Sequence, residues 1–151
     1  MISYSTTIPV TIENVWKHFL IKITHPENFV PGVSNIEILE EKPNEVIRVM
    51  DIQTPNTPKI RFTEKITWSP YWLKFEIIDH PFHKGYVDNL AEKISDSETK
   101  ITFTLNWKNK LTGEDFTQQE IITNAVNKTA AYILENKTAA YILEKEGLTN
   151  L

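Results

Sequence analysis

The sequence predicts an α+β fold in which an antiparallel sheet is covered by a long C-terminal helix. Three observations predict it: an amphipathic helical period near the N-terminus, a two-residue alternation through the middle of the chain, and a second helical period after Gly113. The predicted order is one strand, one helix, six strands and one long helix. Because the alternating strands are apolar on one face, the final helix has to cover that face.

The N-terminal residues predict the first strand and the first helix. Residues 2–8 contain isoleucine, tyrosine and threonine and precede Pro9, as expected of a short strand. Thr11 is a suitable N-cap for the helix that follows. Its buried face is predicted to consist of Ile12, Val15, Trp16, Phe19 and Ile23. The solvent-exposed face is predicted to consist of Glu13, Asn14, Lys17, His18 and Lys22. A further helical turn is expected around residues 27–29.

The middle of the chain predicts six strands. They span residues 33–40, 45–52, 59–68, 71–79, 85–94 and 99–107. The second of them is partly apolar on both faces, so the sequence leaves its orientation open. In the third, one face carries Ile60, Phe62, Glu64, Ile66 and Trp68. The fourth alternates in the same way, and the third and fourth are both predicted to be half-buried antiparallel strands. The sixth also alternates cleanly.

The C-terminal helix is predicted to run from after Gly113 to about Glu146, and it contains a tandem repeat. Residues 127–135 read NKTAAYILE, and residues 136–144 read the same. Nine added residues rotate a helix by about 900°, which is half a turn out of register. We therefore predict a lengthened helix with an exposed apolar end, and a homodimer formed through it. In the alternatives, the copy loops out or is a tolerated insertion without a function.

Composition and charge exclude several classes of protein. The length of 151 residues fits one domain, residues 1–151. Sixteen basic against twenty acidic residues give a net charge of −4, without the basic surface of a nucleic-acid binder. The absence of cysteine excludes disulfides, thiol catalysis and cysteine–zinc sites. No run approaches the roughly 20 apolar residues of a membrane span, and the N-terminus does not resemble a signal peptide, so a cytoplasmic protein is expected.

Few residues suggest a catalytic, phosphate-binding or metal-binding role. Only four glycines are present, and no phosphate-binding or nucleophile motif occurs. His80 and His83 are predicted to lie in a solvated loop, and neither a metal nor a cofactor is expected. Glu64 stands out because its strand places a carboxylate among apolar side chains. A buried carboxylate needs an ion-pair partner (Arg48 or Arg61), an internal water or a cavity open to solvent.

Several segments of the chain resemble one protein family. They are Val15-Trp16-Lys17, residues 25–32 (HPENFVPG), residues 84–89 (KGYVDN) and residues 105–107 (LNW). Over about residues 2–125 the chain resembles the small family named after the L protein of the acetylaranotin biosynthetic cluster, within the START-like, birch-pollen-allergen-like (SRPBCC) superfamily.

This resemblance implies a helix-grip fold, in which a curved seven-stranded antiparallel sheet wraps around a long C-terminal helix, with short N-terminal helices. It also implies a hydrophobic cavity between sheet and helix. The superfamily includes lipid and steroid carriers, polyketide cyclases and aromatases, and co-chaperone domains. Because fold does not determine function, these activities are analogies for this chain.

Together the pattern and the resemblance predict binding of an apolar or aromatic small molecule in that cavity. The predicted apolar lining consists of Phe62, Ile66, Phe75, Ile77, Phe103, Leu105, Ile122, Val126 and Ile133. Glu64 and Asn89 are predicted to orient the ligand, and Tyr86 is a further candidate on the opposite strand face from Asn89. One alternative is a cyclase or aromatase with Glu64 as general base and Tyr86 or Asn89 polarising a carbonyl oxygen. The other is a protein-interaction module that works through the long helix.

Overall fold

The structure is a computed structural model that describes residues 1–55 and 57–136. Its elements are the strand β1 (Ile2–Ile8), the helix α1 (Ile12–Thr24), a 3₁₀ turn (Pro26–Asn28), the strands β2 (Val33–Lys42), β3 (Glu45–Ile52), β4 (Ile60–Ser69), β5 (Trp72–Asp79), β6 (His83–Ser95) and β7 (Glu98–Asn109), and the helix α2 (Gln119–Glu135). The predicted α+β helix-grip fold is confirmed.

All seven strands form one antiparallel sheet in the order β1-β7-β6-β5-β4-β3-β2. Strands β2 to β7 follow one another as neighbours, and β1 pairs with β7. The first two strands of the chain therefore lie at opposite edges of the sheet. The segment that joins them, α1 and the 3₁₀ turn, has to cross from one edge to the other. In doing so α1 packs on β6 and β7, while α2 packs on β1 and β7.

The strand that the sequence could not orient is oriented by its pairing with β4. Arg48 lies opposite Glu64, and Met50 lies opposite Phe62. Because directly paired residues point to the same face of a sheet, Arg48 and Met50 face the side covered by the helices. Asp51 points to the other face, where Arg61 Nη1 donates to its Oδ1 at 3.0 Å.

The predicted start of α1 is confirmed, but its predicted exposed face is partly wrong. The Asn14 N–H donates to Thr11 Oγ1 at 3.3 Å, as an N-cap requires. His18 and Lys22, which the helical period assigns to solvent, are buried. The reason is that every residue from His18 to Ile23 is buried, so the last turns of α1 are enclosed on all sides. A single amphipathic stripe describes only the first half of this helix.

Helix α2 is shorter than predicted at both ends. It begins at Gln119 rather than just after Gly113, because the preceding residues continue the sheet: the Phe116 N–H donates to Trp107 O, and Asp115 forms an antiparallel bridge with Lys108. It ends at Glu135, since Asn136 has a non-helical backbone with φ −127°. The predicted uninterrupted helix into the second NKTAAYILE copy is therefore wrong at Asn136. The rest of that copy lies outside the described residues, and the homodimer remains a prediction. No helix in the described part is long and apolar enough to span a membrane.

Candidate ligand-binding cavity

A cavity of about 190 Å³ lies between the sheet, the end of α1 and the start of α2. Its apolar lining consists of Pro26, Phe29, Val30, Met50, Ile52, Phe62, Phe75, Val87, Phe103, Leu105, Trp107, Ile121, Ile122 and Ala125. Its polar lining consists of Lys22, Arg48, Glu64 and Asn89. Largely apolar walls with a few polar groups are typical of small-molecule sites.

The cavity contains some of the predicted site residues and not others. Phe62, Glu64, Phe75, Asn89, Phe103, Leu105 and Ile122 line it. Five predicted residues are absent from the lining: Ile66, Ile77, Tyr86, Val126 and Ile133. Ile66, Val126 and Ile133 are instead fully buried in the hydrophobic core. The Tyr86 ring lies 4.6 Å from Lys74 Nζ, and neither of these residues lines the cavity.

Glu64 forms a buried ion pair with Arg48. Arg48 Nη2 donates to Glu64 Oε1 at 2.7 Å, and both side chains are almost completely shielded from solvent. The other candidate partner, Arg61, pairs with Asp51 and Glu37 on the opposite face of the sheet. The structure therefore decides between the two arginines that the sequence left open. A buried pair of this kind depends on further hydrogen bonds, because desolvation of both charges is costly.

Arg48 obtains those further bonds from the end of α1. Its Nη1 donates to Lys22 O at 2.6 Å and to Ile23 O at 3.0 Å. The last carbonyls of a helix have no partner within the helix, and a cation there is favoured by the helix dipole. Arg48 thus joins β3, β4 and α1 at one point. Another of its donors, Nε–H, has no hydrogen-bond partner among the described residues.

Lys22 is the functional candidate that the sequence pattern missed. It is only 6% exposed, and its Nζ donates to Asn89 Oδ1 at 2.6 Å. Nζ also lies 3.9 Å from the centre of the Phe103 ring, and 5.3 Å from the ring centres of Phe19 and Phe29. The run Phe-Leu-Ile-Lys-Ile at residues 19–23 is the signal that could have indicated this burial, because its four apolar residues lie on several sides of the helix and not on one face.

Burial, together with the nearby Arg48 charge, holds the pKa of Lys22 well below its usual range. Cation–π contacts favour the charged form by about 0.5–2 kcal/mol each. Burial of an ion costs several kcal/mol even after relaxation, and a neighbouring cation adds to that cost. Burial and the Arg48 charge therefore raise the fraction of neutral amine at Lys22 at a given pH.

The cavity reaches the protein surface at the start of α2. Ile121 lines the cavity and is also 44% exposed, and Val30 and Ile52 in the lining are partly exposed. Lys22 and Arg48, by contrast, are buried. A ligand that enters between these apolar residues therefore meets the polar side chains at the inner end.

The two histidines near β6 support the cavity wall instead of lying in a solvated loop as predicted. His80 is 4% exposed, and its ring centre lies 5.4 Å from that of Phe62 and 5.9 Å from that of Trp107. Its Nδ1 accepts the backbone N–H groups of Phe82 and His83 at 3.0 Å each. No group of three potential metal ligands occurs in residues 1–55 and 57–136.

We expect the stability of the protein to fall at acid pH because of His80. Burial, with smaller contributions from His83 and Lys110, lowers the pKa of His80 to about 4. The unfolded chain binds this proton below about pH 6.5, and the folded chain does so only near pH 4. The free energy of unfolding should therefore decrease by up to about 3 kcal/mol across that interval. Urea denaturation at several pH values measures this decrease in the free energy of unfolding.

The control for this prediction is His80→Asn, whose side-chain oxygen can accept the same two backbone N–H groups without titrating. The variant should lose most of the pH dependence. Burial also lowers the pKa of His83, so a smaller dependence should persist. An equally steep decrease in His80→Asn and in the native protein would contradict the assignment to His80.

Comparison with known proteins agrees with this architecture. The ZhuI aromatase/cyclase from Streptomyces sp. R1128 superposes with a TM-score of 0.74 at 14% identity, over 91% of this chain and 95% of that one. Human STARD10 gives a TM-score of 0.74 at 12% identity, over 98% of this chain and 68% of that one. A START superfamily protein from Mycobacterium smegmatis gives 0.62 at 11% identity, over 95% and 97%. At these identities the likeness demonstrates the fold alone.

Sequence comparison identifies the family. No curated protein matches the chain significantly. The family described as acetylaranotin biosynthesis cluster protein L matches residues 3–140, which is most of the chain. The chain therefore belongs to the acetylaranotin biosynthesis cluster protein L family, and it shares its fold with the solved structures compared above.

Proposed function

We propose that the protein binds a small apolar or aromatic molecule in the cavity between sheet and helices. The observation that carries this proposal is an apolar cavity whose only polar lining, among the described residues, is the group Lys22, Arg48, Glu64 and Asn89. The walls supply the hydrophobic driving force for binding, and the polar group supplies orientation. The similarity to an aromatase/cyclase and to START proteins is consistent with such a site.

The size of the cavity limits the ligand. An apolar cavity of about 150 Å³ holds benzene, and drug-sized ligands occupy about 300–1,000 Å³. At about 190 Å³ this cavity suits a molecule with one substituted ring. A larger ligand would require the start of α2 to move away from the sheet.

The polar lining indicates which groups the ligand carries. Arg48 Nε–H and Trp107 Nε1–H both belong to lining residues, and neither has a partner among the described residues. A buried donor without an acceptor costs about 1–3 kcal/mol. A ligand with an oxygen acceptor would relieve part of that cost, so a ring bearing an oxygen substituent is favoured over a pure hydrocarbon.

The proposal is tested by binding of p-cresol, measured by titration calorimetry and NMR, to the native protein and two variants. Ala125→Phe adds a ring to a position in the lining and should weaken binding at least about tenfold. Ala131→Phe makes the same change at an exposed position of α2 and should leave binding unchanged. Loss of binding in both variants, or in neither, would contradict the assignment to this cavity. Absence of saturable binding to the native protein would refute the proposal.

A cyclase or aromatase is the second candidate, and the position of Glu64 in the lining favours it. Oε1 is bonded to Arg48, so Oε2 would be the oxygen that abstracts a proton next to a carbonyl. In this case Glu64→Gln, which keeps an oxygen for Arg48 but loses the charge, would abolish turnover in the folded protein at some cost in stability. In a binding protein the same variant would only change affinity, with the same cost in stability. A protein-interaction module with a filled cavity is less well supported, because the cavity is open.

A further inference from the structure

We propose that Lys22 captures a small apolar aldehyde or ketone in the cavity as an imine, an inference that rests on the proposed binding function. Among the polar lining residues, Lys22 is the one whose terminal atom is an intrinsic nucleophile when it is uncharged. The proposal therefore names both the chemical class of the ligand and the atom that holds it.

The contacts of Lys22 favour a reactive amine over a structural cation. Its Nζ donates to the neutral amide oxygen of Asn89, whereas the carboxylate in the same lining is bonded to Arg48. None of the ion pairs formed between described residues includes Lys22. Burial and the Arg48 charge lower its pKa, which raises the fraction of the neutral, nucleophilic amine at a given pH.

The carbonyl oxygen of the ligand would find donors in the same lining. Arg48 Nε–H and Trp107 Nε1–H have no acceptor among the residues that the structure describes. A hydrogen bond to the oxygen polarises a carbonyl towards attack at carbon. The lining thus combines a nucleophile, donors for the oxygen and apolar walls for the remainder of the ligand.

The reaction needs no other reactant. The Nζ lone pair attacks the carbonyl carbon, a C–N bond forms, and one amine proton moves to the oxygen to give a carbinolamine. The C–O bond then breaks, and the oxygen leaves as water with both hydrogens of the neutral amine. The product is a C=N bond between Nζ and the ligand, without net oxidation or reduction.

The test is reductive trapping of the native protein with benzaldehyde and cyanoborohydride at pH 7, followed by peptide mass mapping. Lys17 lies exposed on the same helix and is the internal reference. The fraction of neutral amine changes tenfold for each unit of pKa. Reductive benzylation of Lys22 should therefore be at least about tenfold faster than that of Lys17. Lys22→Arg should lose the fast labelling, and Lys17→Arg should retain it.

If Lys22→Arg does not fold, a competition experiment on the native protein takes its place. Saturating p-cresol should slow labelling of Lys22 in the native protein without affecting Lys17, and unprotected labelling would overturn the proposal. If p-cresol binds but Lys22 is labelled no faster than Lys17, imine formation is refuted while the proposed binding function stands. If p-cresol does not bind and Lys22 is not labelled, both are refuted.

Discussion

Replacing Arg48 with methionine is expected to lower the free energy of unfolding by about 3–5 kcal/mol, because the Glu64 carboxylate then remains buried without its partner. Methionine fills a similar volume, so the loss arises from the charge and not from a cavity. The variant also loses two hydrogen bonds to carbonyls at the end of α1, from Lys22 and Ile23. Urea denaturation followed by circular dichroism at pH 7 measures the change.

Two further variants separate the ion pair from a general effect of losing an arginine. Arg61→Met removes an arginine from the partly exposed pair with Asp51 and should cost no more than about 1 kcal/mol. The double variant Arg48→Met/Glu64→Leu removes both charges and should recover a large part of the loss, with a coupling of about 0.5–3 kcal/mol. The interpretation fails if Arg48→Met is no more harmful than Arg61→Met, or if the double variant recovers nothing.

Replacing Gly85 with alanine is expected to cost more than about 3 kcal/mol and to disturb the cavity wall. Gly85 lies in β6 opposite Trp107 and has φ +118°, a backbone conformation that side chains rarely adopt. Strain of this kind costs about 1–3 kcal/mol by itself. A Cβ atom there would also lie 1.9 Å from Asn106 O, a backbone atom of the neighbouring strand. Relief of that clash requires β6 and β7 to separate.

Gly113→Ala is the matched control for Gly85→Ala. Gly113 also has a positive φ, +74°, but nothing lies within 4 Å of the position its Cβ would take. Its substitution should therefore cost only the backbone strain, about 1–2 kcal/mol. Thermal and urea denaturation of the two variants give the comparison. Equal losses would mean that strain alone, without the clash against Asn106, explains the effect at Gly85.

The sequence by itself determined the order of elements and the fold class, because hydrophobic periodicity records which face of each element is buried. The alternation in residues 59–68 identified the buried side of β4, including Glu64, and Thr11 marked the start of α1. These features depend on residues close together in the chain. The nine-residue repeat was equally visible, but its second copy lies mostly outside the described residues.

Only the tertiary structure decided the composition of the cavity's polar group. Lys22 comes from α1, Arg48 from β3, Glu64 from β4 and Asn89 from β6, so no local pattern relates them. The helical period assigned Lys22 to solvent because it assumes one buried face, whereas the end of α1 is enclosed on every side. The choice of Arg48 over Arg61 as the partner of Glu64 depended on strand pairing and orientation, which bring residues distant in sequence to the same face.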